Sequence, residues 1–382
     1  MFYISKVSIP FFFLALFDLM YSLILRAFSL DVKSLWIIAV FGFAAHTIMG
    51  AMYQIVPNSQ GKPLKLLWLS YIVFSLSLLS SLFFYLSQHS YGSLIYLMAS
   101  LLFLFQVLLS IRNFQPITVK FLVLGALYFS LASLFLFLSQ LGYVPFAFAI
   151  HTLTIGFMFN VVIGVEIAWI PMIYMEPLNL TLSKRLFYLN LFSTPFLLIG
   201  FYLNSYKLIA LFSLLVLSSV AYYLFLIYSL FTKRRMPKEI PYVLRYFLLA
   251  LLLLPFGLVV GVWMAGKDAV SYMVFLHFDL LIYGFTAITI MGGLIHLYPR
   301  IVYNMRFSGK EGIYISDLIE EKAVKALLPS IALALAWLIF SQAYGSPLSY
   351  ISTLPYMLLW LYFTHSVLLK GLSFKHKKGE VE

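Results

Sequence analysis

The sequence has no cysteine, so any metal chemistry must use His, Met, Tyr or carboxylates. Disulfides, thiolate metal sites, iron–sulfur clusters and c-type haem attachment are excluded on the same ground. Of its seven histidines, His46, His151, His277 and His296 fall inside long apolar stretches, together with Asp18, Glu166 and Asp279. An imidazole in hydrocarbon is costly unless it pairs or ligates, which makes each a candidate for function. His277 lies 22 residues before Pro299 and His151 lies 20 before Pro171. At 1.5 Å per residue the two differ by about 3 Å in depth. Imidazoles at one level suit two axial ligands of one haem, or one haem ligand facing a second metal.

The remaining candidates are placed by the same count. His46, 11 residues before Pro57, lies roughly 15 Å deeper in a straight helix and does not share that metal. His296, three residues before Pro299, reads as an interfacial snorkelling or capping residue. His89 and His376 read as loop and tail residues, and His365 has no evident partner. Glu166 follows His151 by 15 residues, about 22 Å further along one helix, and is read as part of a proton or water path or as a carboxyl bonded across helices. Asp279 points about 200° away from His277 and is read as an altered ligand position rather than as an orienting group for that ring. Asp18 has no motif around it.

These residues must be positioned by membrane helices. Of the 382 residues 63% are hydrophobic and 10% charged, with a mean hydropathy of +1.00, whereas soluble domains carry about 25% charged residues. About 20 apolar residues cross the hydrocarbon core. Spans are expected near 8–29, 34–57, 64–87, 92–111, 119–140, 144–171, 187–204, 207–231, 242–265, 269–298, 323–342 and 349–369. With the N-terminus inside, 25 Lys and Arg sort onto the cytoplasmic side except for Arg26, Lys33, Lys207 and Lys267. The charged loops and tail on that side include the Lys233, Arg234, Arg235 cluster, Lys238, and Lys375, Lys377 and Lys378. The net charge of +12 therefore reads as bilayer topology, with both termini cytoplasmic and no nucleic-acid surface.

One pattern recurs: Gly, seven residues, Gly, six residues, Pro. It occurs at Gly42–Gly50–Pro57, Gly156–Gly164–Pro171 and Gly284–Gly292–Pro299. Roughly 0.04 matches are expected by chance. The copies fall in spans 2, 6 and 10. The expected fold is an all-α polytopic membrane protein, a single domain over 1–382. Its twelve transmembrane helices form three pseudo-symmetric four-helix units, near 1–111, 112–231 and 232–382. Each proline is expected to close its helix at the cytoplasmic face.

At these residues the sequence resembles subunit I of the haem-copper oxidases and nitric oxide reductases. His277-Phe-Asp-Leu-Leu-Ile-Tyr-Gly284, followed by Ile290-Met-Gly-Gly-Leu-Ile-His-Leu-Tyr-Pro299, is similar to that family's tenth helix. There a His-x-His pair leads to Met-Gly-Gly and a Pro. The resemblance implies that His277 binds the high-spin haem and that Asp279 stands where the low-spin haem ligand would be. His151-Thr-Leu-Thr-Ile-Gly156 resembles the sixth helix of the C-type oxidases, whose leading His is a copper ligand. His46 matches the helix-2 low-spin ligand by motif position but not by depth. The adjacent His pair that completes the copper site on helix 7 is missing from span 7, so copper is not expected. A second resemblance is to the NnrS family. Phe41-Gly-Phe-Ala-Ala leading to Val56-Pro-Asn is similar to that family's early motif, and His151-Thr-Leu-Thr-Ile-Gly156 to its His-Ala-Leu-Thr-Val-Gly segment. The NnrS motif that precedes Phe-Gly is absent.

The resemblances imply a membrane haem protein of the prokaryotic inner membrane that binds b-type haem for respiratory electron transfer or for nitric oxide or dioxygen chemistry. The resulting ligand candidates are His277, His151 and Asp279 for the cofactor, and His277, His151 and His46 for metal. The expected partners are the lipid bilayer, respiratory subunits and a quinol or cytochrome electron donor. A non-catalytic NnrS-like or assembly protein and a transporter are the alternatives. No phosphate loop or nucleophile triad supports an ATP-driven or hydrolytic reading.

Overall fold

The computed structural model describes residues 3–28, 30–232, 239–266, 271–343 and 349–374. The expected cytoplasmic residues Lys233, Arg234, Arg235, Lys238, Lys375, Lys377 and Lys378, together with Lys267 and His376, lie outside the described residues. Twelve long helices follow one another, with no strand among the described residues. They are α1 (Ser8–Ala27), α2 (Val32–Gln60), α3 (Leu67–Tyr85), α4 (His89–Ser110), α5 (Ile117–Gln140), α6 (Phe146–Tyr174), α7 (Leu180–Tyr202), α8 (Tyr206–Thr232), α9 (Tyr242–Gly266), α10 (Ser271–Arg306), α11 (Glu321–Ala343) and α12 (349–373). Among the described residues, ten are long and apolar enough to cross a membrane; α7 and α12 complete the bundle. The outer surface carries large apolar side chains such as Leu82, Phe105, Leu214, Phe225, Leu252 and Leu333, as lipid contact requires.

The helices that carry the glycine–proline pattern form the interior. In the apolar stretches of α2, α6 and α10, 89%, 72% and 89% of the residues are buried, against 28% to 61% in the other spanning helices. Each inner helix starts as an α-helix and then widens into π-helix, over Ile38–Ala44, Thr152–Phe159 and Asp279–Thr286. The first glycine of each pattern copy falls within its π segment.

A π turn frees backbone carbonyls that must find other donors. In all three copies the carbonyl just before that glycine accepts a side-chain hydrogen bond. Phe41 O accepts from Tyr96 OH of α4 at 2.5 Å, Ile155 O from Asn160 Nδ2 at 3.3 Å, and Tyr283 O from Tyr356 OH of α12. The π segment of α2 touches those of α6 and α10, and α1 packs against α12.

The prolines do not close their helices as expected. Pro57, Pro171 and Pro299 lie inside helices that run on to Gln60, Tyr174 and Arg306. Proline forfeits a donor but keeps its carbonyl. In the first two copies that carbonyl accepts the helix-ending bond, from Lys62 N at 3.1 Å and Glu176 N at 3.1 Å. The chain reverses there through left-handed Gly61 and Met175, in the manner of a Schellman ending.

Candidate metal and proton site

Four polar clusters hold the residues singled out in the sequence, and the first is the expected pair. His151 ends the opening α turn of α6 and His277 occupies the same place in α10. Their ring centres are 6.3 Å apart, with planes inclined by 28°. His151 Nδ1 donates to Ala147 O, one turn back, at 2.7 Å, and the ring stacks on Phe201 at 3.8 Å. His277 Nδ1 donates to Gly257 O of α9 at 2.7 Å. Gly261, one turn further along α9, leaves room for this ring: a Cβ there would sit 2.7 Å from His277 Cε1. Since a carbonyl can only accept, both rings carry their proton on Nδ1, and each Nε2 keeps its lone pair for a ligand.

Two imidazoles on opposite sides of one ion have ring centres roughly 6 Å apart, given metal–nitrogen bonds of about 2.0–2.1 Å. An iron and a copper between the rings would need roughly 10 Å. The 6.3 Å separation of the ring centres matches the first of these spacings. No group of three or more His, Cys, Asp or Glu converges as a metal site among the described residues.

The second cluster concerns Asp279. Its carboxylate is fully buried and takes both polar contacts of Arg26 from α1, with Nη2 at 2.8 Å and Nε at 3.4 Å. Phe275 lies over the guanidinium, 4.7 Å from its ring centre. Beside the pair, Tyr283 OH donates to Ser22 Oγ at 3.1 Å. Asp279 is thus committed to an ion pair, and this position offers no imidazole for a second haem. Arg26, one of the four basic residues expected off the cytoplasmic side, is only 3% accessible.

The third cluster surrounds His46. Its Nδ1 lies 2.7 Å from Asp18 Oδ2, and Tyr85 OH donates to Asp18 Oδ1 at 2.6 Å. His46 Nε2 is buried and has no hydrogen-bond partner among the described residues. Asp18, which lacked motif context, is thus the residue that orients this ring. Gly42 makes space for it, since a Cβ there would lie 2.7 Å from Asp18 Cγ.

The fourth cluster is Glu166, buried in α6, which accepts a hydrogen bond from Tyr223 OH of α8. Two histidines differ from expectation. His296 is buried rather than snorkelling, its ring 5.0 Å from that of Trp169. His89 is the first residue of α4, with Nε2 3.3 Å from Ser34 Oγ and 3.5 Å from Asp31 Oδ2. His365 is exposed in the π segment of α12.

Sequence reasoning gave Asp18 no partner and missed Arg26, Tyr85 and Tyr223, because nothing local marks which distant helix a polar side chain will meet. The spacing Gly257-x3-Gly261 was a usable signal, since small residues four apart let a neighbouring helix or ring approach closely.

The fold is similar to that of a haem-copper terminal oxidase solved by cryo-EM as a dimer, with a TM-score of 0.65 over 99% of this chain and 85% of that chain, at 13% sequence identity. At that identity the likeness is one of fold. No family model matches the chain. An uncharacterized protein of Aquifex aeolicus (strain VF5) is 43% identical over 370 residues, covering 96% of this chain and 98% of that protein. The chain therefore belongs to the same family as this Aquifex aeolicus protein, on an oxidase-like scaffold of twelve helices.

Proposed function

We propose that this chain is a membrane haem protein that carries one b-type haem, with His277 and His151 as its iron ligands. The observation that carries the reading is the facing pair of imidazoles, 6.3 Å apart, each with its Nδ1 proton committed to a backbone carbonyl. His277 and His151 would hold the haem, which would supply an iron able to exchange single electrons. The protein's share is to fix both tautomers, with Phe201 stacked on the His151 ring and Gly261 leaving room for that of His277. Copper has no place in this reading, and Asp279 and His46 stand outside the site.

The three units near 1–111, 112–231 and 232–382 are part of the proposal, supported by the π segment that recurs at the first glycine of each copy. So are the prokaryotic inner membrane, the cytoplasmic termini, and a quinol or cytochrome donor.

A second reading, a reduced NnrS-like accessory protein without cofactor, is favoured by the Arg26–Asp279 pair at the position of an absent ligand. A pyridine haemochrome spectrum of the purified full chain separates the two. Haem bound by wild type and His46→Ala, but lost from His277→Ala, is expected. No Soret band in protein expressed with ample haem sinks the first reading.

A further inference from the structure

The three inner helices do not close on one another at every level. The second glycine of each pattern copy faces an outer helix. A Cβ on Gly50 would lie 2.9 Å from Phe11 of α1, on Gly164 2.5 Å from Phe121 of α5, and on Gly292 3.0 Å from Phe247 of α9. The next residue points about 100° further round the helix. In the three copies it is Ala51, Val165 and Gly293, each partly accessible between buried neighbours. They line a cavity of about 70 Å3 between α2, α6 and α10. Its wall repeats the pattern: in every copy, the residues three and two before the second glycine, and one and five after it, line the space. The outer contacts hold the helices in place, and Ala51 and Gly293 are too small to reach across.

The surface that meets this cavity is almost entirely carbon. Thr47 Oγ1 donates to Phe43 O at 2.8 Å, and the oxygens Glu166 Oε1 and Thr289 Oγ1 are covered by other atoms. Trp169 turns its ring carbon Cζ3 toward Gly293, 3.7 Å from where a Cβ would sit. A buried water needs about two to four polar partners, and this wall offers it none. Cavities lined by carbon stay dry and take apolar guests instead; one of about 150 Å3 holds benzene or xenon. At about 70 Å3 the present one is too small for an aromatic ring and has room for a molecule of one or a few atoms. Such a guest restores the dispersion contacts that the lining atoms lack across the gap.

We propose that this cavity is a binding site for one small apolar molecule, a dissolved gas of one or two heavy atoms, held by dispersion contacts alone. The surrounding hydrocarbon, in which such gases dissolve better than in water, is the phase that supplies it. His151 and His277 are not among the lining residues, so the site stands or falls separately from the haem reading.

The test is methyl NMR of the full chain in lipid nanodiscs, labelled at Ile, Leu and Val and titrated with xenon as the probe. The methyl signals of Ile48, Ile55 and Val165 are expected to shift and to saturate with xenon pressure. Those of the outward-facing Leu82 and Leu214 are expected to drift without saturating. Ala51→Leu and Gly293→Leu, which put a side chain into the space, should abolish the saturable shift. Cavity methyls that respond no more than the outward-facing ones overturn the proposal, as do saturable shifts that persist in the filled variants. So do cross-peaks between these methyls and water, which would mean a wet cavity. If the leucine variants do not fold, Gly293→Ala, whose Cβ meets only an ordinary contact, decides the matter: xenon binding several-fold weaker supports the site, and unchanged binding overturns it.

Discussion

His151 and His277 sit on different inner helices, yet their rings meet at 6.3 Å, each anchored through Nδ1 to a backbone carbonyl. Haem retention should therefore depend on both rings and on the space α9 leaves for one of them. Gly261→Val, which forces a side chain into the His277 ring, is expected to lower haem content as His277→Ala does, while Glu166→Gln leaves it unchanged. Pyridine haemochrome assay per mole of protein is the measurement.

Only one haem per chain is expected, because Asp279 is committed to Arg26. A stoichiometry of two would contradict the ion-pair assignment, and zero would contradict the haem reading.

The same ion pair predicts an asymmetric response to mutation. Removing one partner strands a buried charge and costs about 3–5 kcal/mol, whereas replacing both with apolar residues of similar size is close to neutral. Arg26→Leu and Asp279→Leu should each lower the thermal unfolding midpoint in detergent sharply, and the double variant should recover most of the loss.

Gly42 and Gly293 should differ in tolerance. A Cβ at Gly42 would lie 2.7 Å from Asp18 Cγ, while at Gly293 the nearest atom is Trp169 at 3.7 Å, an ordinary contact. Gly42→Ala is expected to cost about 1–3 kcal/mol by overpacking, and Gly293→Ala much less. Unfolding midpoints of the two variants, measured side by side, decide it.

Asp31, in the loop between α1 and α2, caps α2 by accepting from Lys33 N at 3.0 Å and Ser34 N at 3.2 Å. Partial burial pushes its carboxyl up, but the hydrogen bonds from Ser34, the nearby His89 and the Lys33 amide outweigh it, so the net direction is down. A carboxyl held low in the folded state adds stability above its unfolded value of about 3.9, and that stability is lost as pH falls through the lower folded value. Asp31→Ala should cost about 1 kcal/mol at neutral pH, and the gap to wild type should narrow below that range. Unfolding midpoints at pH 7 and in acid test this.

The sequence by itself determined the helices and their levels. Apolar runs long enough to cross a bilayer can hardly do anything else, so each of the twelve expected spans falls on a helix, although the seventh begins earlier, at Leu180, and the tenth runs on to Arg306. The Gly–Gly–Pro pattern picked out α2, α6 and α10, and residue counting put His151 and His277 at one depth, because rise per residue is nearly constant along a helix. The π segments shift that count only slightly, and they fall at the same place in both helices. What happens around the helix axis was decided only by the tertiary structure. A side chain's partner depends on helix rotation and neighbour order, which no local pattern encodes. Arg26 on Asp279, Asp18 on His46 and Tyr223 on Glu166 all join segments far apart in the chain. The prolines show the same division. Their positions marked equivalent points in three helices, but none of the helices stops there, and the first two end where the proline carbonyl accepts from Lys62 N and Glu176 N.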